Sequence, residues 1–184
     1  YHPETYPVFE GVASYNNTTL QLASELNLNY KSDLLGDYQE KNIKAVVLTL
    51  RQLKGFSVTE ENIVNGLNNT VRNTGLMGRW QKLGEEPTII CDTAHNKEGL
   101  SIVINQLSEQ KYNQLHIVLG FVKDKKLTDI LPLFPKNAMY YFCKPEISRG
   151  LEAEVLKEKA LEYALEGVVY SSVSAAFESA KKSA

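Results

Sequence analysis

Cysteine is scarce in this chain. Cys91 and Cys143 are the two in 184 residues, and each lies inside an apolar, strand-like run. That excludes a small scaffold held by many disulfides. Two buried thiols are expected, with one disulfide between them left open. Long hydrophobic runs are also missing, so no segment is expected to span a bilayer. The opening Tyr1-His2-Pro3-Glu4 lacks the basic-then-apolar profile of a secretory signal, and a cytoplasmic location is expected. Nor is there an excess of charge of one sign. Twenty Lys and Arg against 22 Asp and Glu leave a formal charge of −2, which gives no field to attract nucleic acid or anionic lipid. Three motifs are absent as well: a G-x-x-x-x-G-K-[ST] phosphate loop, a G-x-G-x-x-G after a strand, and a G-x-S-x-G elbow. A nucleoside triphosphate bound here would need its phosphates held by another domain. No Cys/His cluster suggests a metal site. What remains is ordinary globular material, 43% apolar and 23% charged.

The pattern changes near residue 75. Residues 1–35 are rich in Tyr, Asn, Thr and Ser, and short alternating stretches such as Tyr6-Pro7-Val8-Phe9 and Leu26-Asn27-Leu28-Asn29-Tyr30 read as edge strands or loops. From Gln39 the period becomes helical, with Ile43, Val46, Val47, Leu50 and Leu53 on one stripe and Lys54-Gly55 as its end. A second helix follows Thr59 as N-cap. From Gly78 onward, strands and helices alternate. Trp80–Leu83 and Thr88–Cys91 flank a hairpin or tight connection at Gly84-Glu85-Glu86-Pro87. Strands are then expected at Leu115–Leu119, Met139–Cys143 and Val168–Tyr170, with helices around 97–109, 126–133, 151–165 and from about Ser174. Spacing of roughly 25–30 residues between strands suits βαβ crossovers. The reading is an α/β fold, Rossmann-like, with a mainly parallel sheet and helices on both faces. It covers 76–184 and is preceded by a helical and strand remnant of another domain over 1–75.

The polar chemistry gathers where strands give way to helices. The densest stretch is Cys91-Asp92-Thr93-Ala94-His95-Asn96, which crowds a carboxylate, an imidazole and an amide into one turn. Ligands of open α/β sheets bind at such places. Lys123, Asp124 and Lys125 follow the next strand; Lys144, Glu146, Ser148 and Arg149 the third; Ser171 and Ser172 the fourth. The alternative is that loops are polar in any case and Asn96 only caps a helix.

Two of these segments, with two more, resemble a known family. Gly78-Arg79-Trp80-Gln81 followed by Asp92-Thr93-Ala94-His95-Asn96 is similar to the "PGR-(F/W)-Q … D-G/Y-A-H-N-P" pattern of folylpolyglutamate synthases, shared loosely with the Mur ligases. Leu35-Gly36-Asp37-Tyr38-Gln39-Glu40-Lys41-Asn42 resembles their "L-x-G-x-H-Q-x-x-N" segment, and Gly120-Phe121-Val122-Lys123-Asp124-Lys125 their Asp-Lys segment. Met77, Tyr38, Lys97 and Lys126 depart from the pattern, standing where Pro, His, Pro and Asp are usual.

The resemblance implies an ATP-dependent ligase that adds L-glutamate to a folate, and in some members makes dihydrofolate from dihydropteroate. ATP would phosphorylate the folate's terminal carboxylate, and the amine of glutamate would attack the acyl phosphate. It further implies that 1–75 is the end of a central ATPase domain and 76–184 the whole C-terminal domain. The phosphate loop and Mg2+ ligands would then lie outside the chain, which would be inactive alone, and a monomer is expected.

Residue by residue, the resemblance makes Asn42, Arg79 and Asp92 nucleotide contacts. It puts His95 near the incoming glutamate as a catalytic or substrate-binding group. Ser148 and Arg149, a hydroxyl and a guanidinium beside a strand end, suit the glutamate carboxylate. Each has a plainer reading. Arg79 can form a surface ion pair, Asp92 can cap the helix that follows, Asn42 can be an ordinary helix position and His95 can simply pack beside the turn. His116, in an apolar strand, reads as structural, and His2 lies near the chain's start. At the level of function, the competing readings are a non-catalytic α/β module for a partner or small anion, or part of another Mur-type amino-acid ligase.

Overall fold

The computed structural model describes residues 3–184, so His2 lies outside the described residues. The chain divides into two compact units, Tyr1–Met77 and Gly78–Ala184.

Unit 1 is helical. Helix α1 spans Tyr6–Tyr15, where a strand or loop was expected for Tyr6–Phe9. Pro7 lies in its first turn, the one place where a helix tolerates a missing N–H. The apparent alternation there is too short to distinguish the two periods. Leu26–Tyr30 carries no regular structure. Helix α2, Gln39–Gln52, buries Val47 completely. Helix α3, Glu60–Asn68, begins with a capping box in which Thr59 Oγ1 accepts the Asn62 N–H and Asn62 Oδ1 accepts the Thr59 N–H. A short helix α4, Thr70–Thr74, stops at Gly75 in the left-handed region, φ +67°. Asp33 ties the preceding loop to this pair: Oδ2 accepts the Val71 N–H at 2.8 Å, and its own N–H reaches Leu67 O.

Unit 2 opens with strands β1 (Gln81–Glu85) and β2 (Thr88–Cys91), paired antiparallel. The expected parallel sheet follows without them. It consists of β3 (Leu115–Leu119), β4 (Ala138–Phe142) and β5 (Gly167–Val169), parallel in the order β3-β4-β5. Helices α5 (Lys97–Ser108), α6 (Leu127–Ile130), α7 (Ala153–Leu161) and α8 (Val173–Ser183) complete the alternation. β2 was expected beside the parallel strands. Its two-residue link to β1 makes that pairing antiparallel, and β2 pairs with none of the three parallel strands.

Alternation along β4 explains why helices cover both faces. Tyr140 and Phe142 enter a core with Leu100 of α5, Ile130 of α6 and Leu156 and Ala160 of α7. Tyr141 and Cys143 point the other way, onto Ala176 and Ala180 of α8. His116 on β3 is structural, its Nδ1 2.8 Å from the Tyr141 hydroxyl. Both cysteines are free thiols, Cys143 buried and Cys91 half-buried.

Candidate functional site

The segment Gly78–Gln81 and the turn Asp92–Asn96 form one knot at the open end of the β1–β2 hairpin. Two backbone positions make it possible. Gly78 has φ +71°, and a Cβ built there would sit 2.5 Å from Thr93 Cγ2. Trp80, a buried bulky residue, also takes a left-handed φ of +50°. That conformation is costly for such a residue and persists only where its surroundings impose it. Here the Trp80 N–H is held 2.7 Å from Asp92 Oδ2, and the Gly78 N–H 2.9 Å from Gln81 Oε1.

Asp92 holds two backbone segments together. Its second oxygen, Oδ1, accepts the Ala94 N–H at 2.7 Å. The helix-capping role considered for Asp92 belongs to its neighbour: Asn96 Oδ1 accepts the Gly99 N–H at 2.9 Å and caps α5. Beside Asp92, burial first and the Asp92 charge second push the Cys91 thiol up.

Arg79 lies half-buried in the knot. Its Nη1 donates to Gly78 O at 3.1 Å and to Thr93 Oγ1. The Thr93 hydroxyl donates to Gly78 O at 3.1 Å, and the Thr93 N–H reaches the same carbonyl at 3.0 Å. No carboxylate pairs with Arg79 among the described residues, so the surface ion pair considered for it is not formed. His95 is exposed, with Nδ1 3.0 Å from Thr93 O. A neutral ring protonated on Nδ1 donates to that carbonyl and leaves Nε2 as an acceptor. Arg79, Asp92 and His95 are thus gathered around one turn. Thr93, which joins them, carried no role in the sequence reading. A threonine opposite a glycine that must adopt positive φ was the available signal.

The other expected residues belong to other elements. Asn42 is in unit 1, exposed on α2, with Nδ2 bonded to Gln39 Oε1 at 2.8 Å. It edges a cavity of about 250 Å3 lined by Ile43, Leu50, Ile63 and Leu67. Ser148 lines an open cavity of about 310 Å3 beyond β4 and β5, with Lys144, Glu146 and Ser171. Arg149 is not among that cavity's lining residues. It pairs with Asp124 at 3.7 Å, both side chains largely exposed. The two loops are stitched there by Lys123 N–H to Arg149 O and Leu151 N–H to Phe121 O. Among the described residues no three His, Cys, Asp or Glu side chains come together as a metal site. No helix among them is long and apolar enough to cross a membrane.

Comparison with known proteins gives this geometry a family. The model described as "Mur ligase, glutamate ligase domain" matches residues 78–184, the span of unit 2. A probable bifunctional folylpolyglutamate synthase/dihydropteroate synthase of Haloferax volcanii is 36% identical over 129 residues, 70% of this chain and 15% of that protein. The dihydrofolate synthase/folylpolyglutamate synthase of Escherichia coli is 28% identical over 138 residues, 74% of this chain and 31% of its own length. The chain therefore spans less than a third of either curated relative. Among solved structures, E. coli FolC in complex with DHPP and ADP superposes with a TM-score of 0.67 at 26% identity, over 91% of this chain and 36% of that one. By the match over residues 78–184, this chain belongs to the Mur ligase family, through its glutamate ligase domain.

Proposed function

We propose that the chain contributes the glutamate ligase domain, and the end of a central ATPase domain, to an ATP-dependent ligase that joins L-glutamate to a folate. The coincidence that carries this reading is that the family match begins at Gly78, the residue that opens the Arg79–Asp92 knot. In the reaction proposed, the γ-phosphoryl group of ATP passes to a carboxylate oxygen of the folate and ADP leaves. The amine of glutamate then attacks the acyl carbon and expels phosphate, forming the amide.

Arg79 supplies a delocalised cation for phosphate oxygens and for the charge that builds during transfer. Asp92, a carboxylate in the same knot as Arg79, is the acceptor proposed for ribose hydroxyls, and Asn42 offers donor and acceptor to a base edge. His95 Nε2 is the proposed acceptor for the glutamate amine. The Ser148 cavity is the proposed seat of the glutamate carboxylate, with Arg149 beside it once released from its weak exposed pair with Asp124. A divalent cation such as Mg2+ that accompanies ATP is assigned no ligand among the described residues.

The test is kinetic, on the whole gene product. Arg79→Ala is expected to raise KM for ATP or lower kcat by at least about a hundredfold, the loss of a charged contact in a transition state. Normal ATP- and folate-dependent turnover by Arg79→Ala would remove the assignment.

A further inference from the structure

We infer that Thr93 is a positioning residue for Arg79: with the Gly78 carbonyl it occupies Nη1, and so reserves the Nε–Nη2 edge of the guanidinium for a polyphosphate. This rests on the reading of Arg79 as a nucleotide contact and adds the device that aims it.

Hydrogen-bond accounting carries the inference. Nη1 bears two hydrogens, and two acceptors meet it, Gly78 O at 3.1 Å and Thr93 Oγ1. The Thr93 hydroxyl spends its own proton on Gly78 O, so its lone pairs are left for the guanidinium. The polarity of the contact is thereby fixed. Arginine has five donors in a rigid fork, and three remain, on Nε and Nη2. These include a pair of parallel N–H groups, the edge that grips two phosphate oxygens at once. No other partner for them occurs among the described residues.

The Thr93 side chain is itself immobilised. Its N–H bonds Gly78 O at 3.0 Å, and its methyl would lie 2.5 Å from a Cβ built on Gly78. A β-branched residue so wedged keeps one χ1. A long cationic side chain held before its ligand arrives loses less freedom on binding, which tightens the complex. Where the resembling pattern carries Gly or Tyr, this chain carries the small, stiff hydroxyl residue that the contact needs.

The experiment uses the whole gene product and steady-state kinetics with ATP, folate and glutamate varied in turn. Thr93→Val keeps the shape, the methyl packing and the backbone N–H but loses the hydroxyl, both the acceptor for Nη1 and the donor to Gly78 O. It is expected to raise KM for ATP about tenfold, the lower range for one hydrogen bond to a charged group. KM for glutamate should stay unchanged. Thr93→Ser should restore the ATP value. In an Arg79→Lys background, Thr93→Val should add nothing, because it acts through the guanidinium. An unchanged KM for ATP in Thr93→Val, a Ser variant as weak as Val, or full additivity with Arg79→Lys would each overturn the inference. If Arg79→Ala leaves both KM for ATP and kcat untouched, the nucleotide reading of Arg79 falls first and takes this one with it.

Discussion

Asp92 shows how one side chain can serve both architecture and chemistry. It accepts from the N–H groups of Trp80 and Ala94, and the first of these holds a buried tryptophan at positive φ. Removing the carboxylate leaves both donors unmatched and releases the strained turn. Asp92→Ala is therefore expected to cost about 2 kcal/mol, within the range for hydrogen bonds to a charged acceptor. In a melt this should read as a loss of roughly 4–8 °C. Asp92→Asn keeps one carbonyl oxygen and should lose about half as much. A Tm unchanged in Asp92→Ala would mean that the knot is held by other contacts. It follows that lost activity in Asp92→Ala reports the architecture of the turn as well as any nucleotide contact. The sequence made Asp92, His95 and Arg79 legible as a group, because their spacing around an apolar run is distinctive. It left Thr93 unread, since its part depends on facing Gly78 across the hairpin, a contact set by register and not by local pattern. Arg149 was legible as a loop cation, but its pairing with Asp124 depends on two loops that meet only in the fold.

Among the elements, those with strong periods matched their expected spans. β3 falls at Leu115–Leu119, as its apolar run predicted, and α5 starts after the Asn96 cap. α1 was missed because four residues cannot separate period 2 from period 3.6 when none of them is buried. The hairpin was legible, but the loss of β2 from the parallel sheet was not, because composition does not report strand direction. At β5 the sheet depends on a glycine. Gly167 pairs with Tyr140, and a Cβ there would lie 2.1 Å from Tyr140 O. Only a backbone without a side chain fits, so Gly167→Ala must push β5 off β4 and is expected to cost about 3 kcal/mol. Gly66 in α3 meets nothing within 4 Å, and Gly66→Ala should be neutral or stabilising by up to about 1 kcal/mol through helix propensity. Chemical denaturation of both variants gives the comparison. Equal midpoints would show that the β4–β5 contact is not the constraint described.

At the scale of the whole chain, the two units differ in what they bury. Among the described residues, Val47 and Ile63 are the buried apolar side chains of unit 1, while Phe9, Val12, Leu35, Phe56 and Met77 are all more than half exposed there. Unit 2 holds a continuous core in which Leu131, Phe142, Leu156 and Leu165 have no exposure at all. Apolar burial contributes about 25 cal/mol per Å2, and it must offset the chain entropy of every ordered residue. Unit 2 has the interior to do so and unit 1 does not. Residues 78–184 produced alone are therefore expected to unfold in a single cooperative transition by circular dichroism, as a small domain with its own core does. Residues 1–77 produced alone should give a broad, shallow melt and bind a dye that reports exposed apolar surface. A sharp melt from 1–77, or a gradual one from 78–184, would contradict the assignment of the core. The outcome also bears on function, because an autonomous unit 2 would keep the Gly78–Asn96 knot intact. The Arg79–Thr93 contact could then be followed by NMR in that unit alone, free of turnover.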